Sequence, residues 1–224
     1  MSISENFLKV REKVPEEVTI LLACKTRTPE EVAEVIAAGA TDLGHNYVQE
    51  AEEMVEAMGD TAFQARWHMI GPLQKNKINK ALRLVDVIQT VHSVKQAEAI
   101  DLRASRIDKV VSAFIEINSG RESNKSGIDP DFEEVKGLAE KISECKNLKL
   151  EGLMTMGPFL DDPEEIRPFF RITRELYDRV RDLNLPGADL KYLSMGMTDS
   201  YQVAIEEGSN MIRLGTGIFG PRPG

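Results

Sequence analysis

Cysteine is scarce: Cys24 and Cys145 are the only two among 224 residues. Two thiols so far apart exclude a disulfide-stapled secreted scaffold and fit a reducing compartment, so a cytoplasmic location is expected. Histidine is also sparse. His45, His68 and His92 are the whole supply, with no close His/Asp/Glu/Cys spacing around them, so no metal centre is expected. No apolar run approaches the roughly 20 residues needed to cross a bilayer. The opening Met1–Phe7 is polar and acidic, unlike a secretory or transit segment. Basic residues are in the minority, 28 against 37 acids for a net charge of -9, which argues against a nucleic-acid partner. The Gly-Lys-Ser/Thr ending of a P-loop is missing too.

What the chain has is aliphatic rhythm. Apolar residues make up 42% of it, ample for a core in one domain over residues 1–224. An opening helix through Lys13 carries Ile3, Phe7 and Val10 at helical spacing, with Ser2 or Ser4 as its cap. Strands are then expected at Thr19–Lys25, Thr41–Gly44, Arg66–Gly71, Val85–Val91, Val110–Ile117, Leu148–Met154, Tyr192–Met195 and Asn210–Leu214. Helical patterns follow each of the first seven, the clearest opening at Thr28-Pro29-Glu30-Glu31 with a hydroxyl cap and a first-turn proline. Eight strands in such an alternation point to a closed (β/α)8 TIM barrel with an extra N-terminal helix rather than an open sheet.

In such a barrel the strand C-termini open on the active face. Lys25 ends the first strand, Asn46 follows the second, His68 lies in the third, Ser194 and Met195 end the seventh, and Gly215 and Thr216 follow the eighth. Lys25 reads either as a strand-end lysine reaching solvent or as a desolvated amine able to condense with a carbonyl. Gly215-Thr216-Gly217 reads as a tight closing bend or as an oxyanion-binding turn beside Ser194 and Gly196, where barrels often bind phosphate. Alternation aims Arg213 into the barrel, where it would pair with Glu206 or Glu207, or donate to a pyridine nitrogen. His68 is expected as a packed or hydrogen-bonded strand histidine. The basic stretch Gln74–Lys80 reads as a solvated helix face or a contact for phosphate or a partner.

The ordered motifs Leu21–Thr26, Gly44–Glu50, Trp67–Lys77, Asn124–Gly127, Gly152–Met154, Leu193–Asp199 and Arg213–Gly220 resemble those of the pyridoxal phosphate homeostasis proteins. That family has the barrel of the alanine racemase N-terminal domain. The resemblance implies pyridoxal 5′-phosphate held as an aldimine on Lys25, its phosphate around Ser194, Gly196, Gly215 and Thr216, and Arg213 at the pyridine nitrogen. It places Asn46 at the mouth, His68 beneath it, and Met195 beside Ser194 at the strand tip. It also implies a carrier or buffer of vitamin B6 with little or no turnover, a monomer, and client enzymes that use the cofactor as partners. Two alternatives stay open: a low-activity racemase, transaminase or lyase using the same cofactor, and a cofactor-free barrel binding a phosphometabolite or a protein. Enzymes of this barrel type that racemise add a second domain with an opposite-face tyrosine, and the chain ending four residues after Gly220 is expected to lack it. Two residues depart from the family pattern: His45 stands where a glutamate is usual, and Cys24 where serine is common.

Overall fold

Local side-chain chemistry fixes where the helices begin. Ser2 accepts a hydrogen bond from the Glu5 amide and the Glu5 carboxylate accepts one from the Ser2 amide, a reciprocal cap on α1 (Ile3–Arg11). Thr28 and Glu31 repeat the device, with Pro29 pre-set for the first turn, at α2 (Pro29–Ala37). The computed structural model describes residues 2–221. Between and after these helices come β1 (Thr19–Ala23), β2 (Asp42–His45), α3 (Val48–Met58), β3 (Arg66–Met69), α4 (Ile78–Leu84), β4 (Val87–Val91) and α5 (Val94–Ala104). The second half supplies β5 (Val111–Ile117), α6 (Phe132–Glu144), β6 (Leu148–Thr155), α7 (Arg167–Asp182), β7 (Tyr192–Ser194), α8 (Tyr201–Glu206), β8 (Met211–Leu214) and α9 (Thr216–Phe219).

All eight strands pair in parallel with their sequence neighbours, and β8 closes onto β1 with Arg213 opposite Leu21. The structure is thus the (β/α)8 TIM barrel with its extra N-terminal helix. Alternation along the strands divides the apolar residues into two layers. Leu21, Ile70, Val87, Phe114, Met154 and Met211 fill the interior. Their neighbours, among them Leu22, Leu43, Ile115, Leu153 and Leu214, face the helices in a larger outer layer. Phe114 is wholly buried, and burial of a side chain that size stabilises by about 2–3 kcal/mol.

Several element ends differ from those the sequence suggests. Strand β1 stops at Ala23, because the chain turns at Thr26 with φ 62°, although the Cys24 amide still donates to the Gly44 carbonyl at 2.9 Å. Short 3-10 turns, Lys75–Lys77 and Pro163–Ile166, precede α4 and α7 in place of their expected first turns. The closing turn after β8 winds into α9, which the glycines at 215 and 217 did not advertise. No helix among the described residues is long and apolar enough to cross a membrane.

Candidate functional site at the barrel mouth

Strand parity places the polar residues. Leu21 and Ala23 face the interior, and Lys25 stands two residues further on, in the turn just beyond the mouth end of β1. Its Nζ lies 5.0 Å from the centroid of the Tyr47 ring, a cation–π contact at the rim. Arg213 is level with Leu21 on the neighbouring strand.

Arg213 is 4% exposed, and its outward-facing neighbours Ile212 and Leu214 belong to the outer layer. Nη1 donates to Ser194 Oγ at 2.7 Å and Nη2 to the Thr155 carbonyl at 2.8 Å. Burial pulls the guanidinium down to about 10, against the pull of the Glu116 carboxylate, and it stays charged at neutral pH. Glu206 and Glu207 are not its partners: they bind Arg167 at 2.6 and 2.8 Å, and Glu207 also binds Arg171 at 3.0 Å.

From Arg213 a line of hydrogen bonds descends through the barrel. Ser194 Oγ donates to Gln89 Oε1 at 2.8 Å, and Gln89 Nε2 donates to His68 Nδ1 at 3.0 Å. His68 Nε2 then donates to Asp42 Oδ1 at 2.8 Å. Each acceptor dictates the next donor, so His68 is the neutral tautomer with its proton on Nε2. Desolvation of the wholly buried ring lowers its pKa, the Asp42 contact opposing this, while His68 holds the Asp42 carboxyl below its usual range against burial.

Of the residues expected at the site, His68, Ser194 and Arg213 are thus joined in one chain of contacts. Ser194 is fully buried and its hydroxyl is engaged on both sides, by Gln89 and Arg213. Met195 points the other way, into the outer layer. Asn46 follows β2 at the mouth, its backbone so close to Gly71 that a β-carbon at 71 would collide with it. Gly196 has φ +92°, and a β-carbon there would lie 2.5 Å from Ala204 Cβ, so only glycine lets the loop after β7 turn against α8. Gly215 precedes α9 and Thr216 opens it, exposed, with its amide in the unpaired first turn. The Gly217 amide donates to Thr198 Oγ1 at 3.3 Å and ties the loops after β7 and β8 together.

Three contributors were not apparent in the sequence. Gln89 and Asp42 complete the buried chain. Arg27, 9% exposed, donates from Nη2 to the Gly220 carbonyl at 2.6 Å and from Nη1 to that of Phe219 at 3.2 Å, fastening the end of α9 to the loop that carries Lys25. Their side-chain types carry no local signal, since each partner lies far away in the chain. Across the mouth from Lys25, on the β5–β6 side, is a cavity of about 370 Å³ lined by Glu116, Asn118, Lys125, Met156, Met197 and Phe159. Met156 connects it to Arg213, its sulfur 3.3 Å from Nη2. Lys125 is held by Glu122 and by the Gly157 carbonyl.

A closed barrel of eight parallel strands behind an extra N-terminal helix places the chain in the class of (β/α)8 barrels. The alanine racemase N-terminal domain model matches residues 1–223. The pyridoxal phosphate homeostasis protein of Aquifex aeolicus is 40% identical over 204 residues, covering 91% of this chain and 86% of its own. That of Escherichia coli K12 is 33% identical over 234 residues, covering 98% and 97%. PipY of Synechococcus elongatus PCC7942, with PLP bound, superposes with a TM-score of 0.86 at 27% identity over 98% of this chain and 100% of that one. The chain belongs to the pyridoxal phosphate homeostasis protein family. An alanine racemase from Clostridium difficile 630 shares the fold, with TM-score 0.82 at 17% identity, but this chain covers only 57% of it.

Proposed function

We propose that this protein binds pyridoxal 5′-phosphate at the barrel mouth and serves as a carrier or buffer of vitamin B6 with little or no substrate turnover. The observation that carries the reading is the placing of Lys25 just beyond the mouth end of β1, the strand paired with the one that carries the buried, inward-facing Arg213. The donor set fits the group: an amine for the aldehyde, guanidinium N–H groups for the ring nitrogen, and the amides and hydroxyl about Gly196, Gly215 and Thr216 for the phosphate. Bound there, the cofactor supplies an aldehyde for reversible condensation and an electron-withdrawing ring. The protein's own part is to hold and orient. Arg213, a permanent donor held by Ser194 and Thr155, keeps the ring nitrogen unprotonated, which blunts carbanion chemistry and favours storage over turnover. Lys25 is the covalent anchor, Tyr47 its neighbour at the rim, and Asn46 a wall of the mouth.

The purified protein is expected to absorb at about 410–430 nm, and borohydride reduction followed by peptide mass mapping should place the label on Lys25. Lys25→Ala should be colourless. Unchanged absorbance in that variant would defeat the assignment.

One observation favours a weak enzyme as the second reading. Glu116 is 5% exposed, its Oε2 has no hydrogen bond, and burial raises its pKa, against the Ser126 hydrogen bond, beside the cavity that adjoins Arg213. Such a carboxyl is suited to proton exchange. Amino-acid-dependent exchange of Cα deuterium that disappears in Glu116→Gln would favour it; a static isotope content would leave the carrier reading alone.

A further inference from the structure

A second cavity, of about 460 Å³, lies outside the barrel wall between the tips of β1 and β2 and helices α2 and α3. Cys24, Thr26, Arg27, His45, Glu50 and Glu53 line it. Cys24 and Thr26 flank Lys25 on either side, so this cavity backs onto the segment whose lysine faces the mouth. The two positions that depart from the family pattern, 24 and 45, meet here.

Its polar groups are uncompensated. His45 is 2% exposed, and neither ring nitrogen has a hydrogen-bond partner; Glu50 Oε2 is likewise buried and unpaired. Native structures rarely leave buried polar atoms unsatisfied, because each costs about 1–3 kcal/mol. Among the described residues neither Glu50 nor Glu53 forms an ion pair, whereas Glu52 on the same helix pairs with Lys80 at 2.8 Å. The one guanidinium in the lining, Arg27, is answered elsewhere, by the carbonyls of Phe219 and Gly220 and by Glu31 at 3.7 Å. The cavity therefore holds two carboxylates, a neutral imidazole and the apolar walls of Pro29, Met54 and Ala57. Cys24, Glu50 and His45 do not converge as metal ligands, since no such group exists among the described residues.

We propose that this cavity is a binding site for a small tertiary ammonium ion, its single N–H shared between the Glu50 carboxylate and the His45 imidazole and its alkyl groups taken by Met54 and Pro29.

The chain contains its own reporter. Trp67, the single tryptophan, stacks on His45 with ring centroids 5.5 Å apart and planes inclined by 16°. Trimethylammonium is the probe, because a tertiary ammonium cannot condense with an aldehyde and so answers independently of anything bound at Lys25. Titration of the purified full chain should give a saturable change in Trp67 emission and a matching calorimetric isotherm, both absent with equal sodium chloride. Glu50→Gln should weaken binding at least tenfold, Glu52→Gln should leave it within twofold, and His45→Phe should lose the imidazole-dependent part while keeping the stack. No saturation in the wild type by either readout, or equal affinity in Glu50→Gln, would overturn the proposal. A Lys25→Ala protein that is still yellow would sink the cofactor reading and leave this one untouched.

Discussion

His45 enters the fold neutral, because burial without a compensating hydrogen bond pushes its pKa down to about 4. In the unfolded chain the same ring titrates near 6.5. Between those values the unfolded chain takes up a proton that the native protein refuses, so stability falls as the pH drops through this window. The shift predicts a loss of about 3 kcal/mol between pH 7 and pH 4 from this residue alone. Urea unfolding of wild type and His45→Phe at both pH values isolates it, since the remaining groups act alike in the two proteins. The wild type should lose about 3 kcal/mol more than the variant; equal losses would mean that the imidazole is already paired in the native state. At the same scale the site was only partly legible. The inward, buried side chain of Arg213 was legible because strand parity aims it, but no local pattern shows that His45 would be stranded beside Trp67.

At the scale of elements, α9 has only four residues, two glycines in or before its first turn, and little intrinsic helical preference. Tertiary contacts hold it: Arg27 grips the carbonyls of Phe219 and Gly220, and Asn6 Nδ2 donates to the Ile218 carbonyl at 3.0 Å. That dependence explains why the helix is invisible in the sequence, whereas the reciprocal caps of α1 and α2, and the aliphatic runs of the strands, are local and readable. It also makes Arg27 a positioning residue for Thr216. Arg27→Gln should weaken retention of pyridoxal phosphate about tenfold, on the order of one charge-assisted hydrogen bond, while leaving phosphate-free pyridoxal unaffected. Equilibrium dialysis with both compounds decides it; parallel losses would place the effect at Lys25 instead. The loop after β7 depends on glycine itself. Gly196→Ala would combine a positive φ with a 2.5 Å approach to Ala204, and should destabilise by about 2–4 kcal/mol in denaturant melts.

Across the whole molecule, the barrel interior is lined by apolar side chains from most of its strands and threaded between them by a directed polar chain. Arg213, Ser194, Gln89, His68 and Asp42 come from β8, β7, β4, β3 and β2, so a guanidinium near the mouth and a carboxylate towards the floor are linked through three neutral groups. The eightfold alternation that builds this barrel is legible from strand runs, but the chain within it is not, because its links join residues up to 105 positions apart. Hydrogen bonds in series polarise one another in a low-dielectric interior. Removing the middle link therefore tests whether the five groups act as one. Gln89→Leu leaves His68 Nδ1 and the Ser194 hydroxyl each short of a partner, and should cost about 2–5 kcal/mol. The sharper measurement is a double-mutant cycle between Asp42→Asn and Ser194→Ala, which share no direct contact. A coupling energy of about 0.5–3 kcal/mol is expected if the protonation pattern at one end is set by the donor at the other. Additivity within about 0.5 kcal/mol would show instead that the barrel holds independent pairs, and Arg213 would then owe its orientation to Ser194 and Thr155 alone.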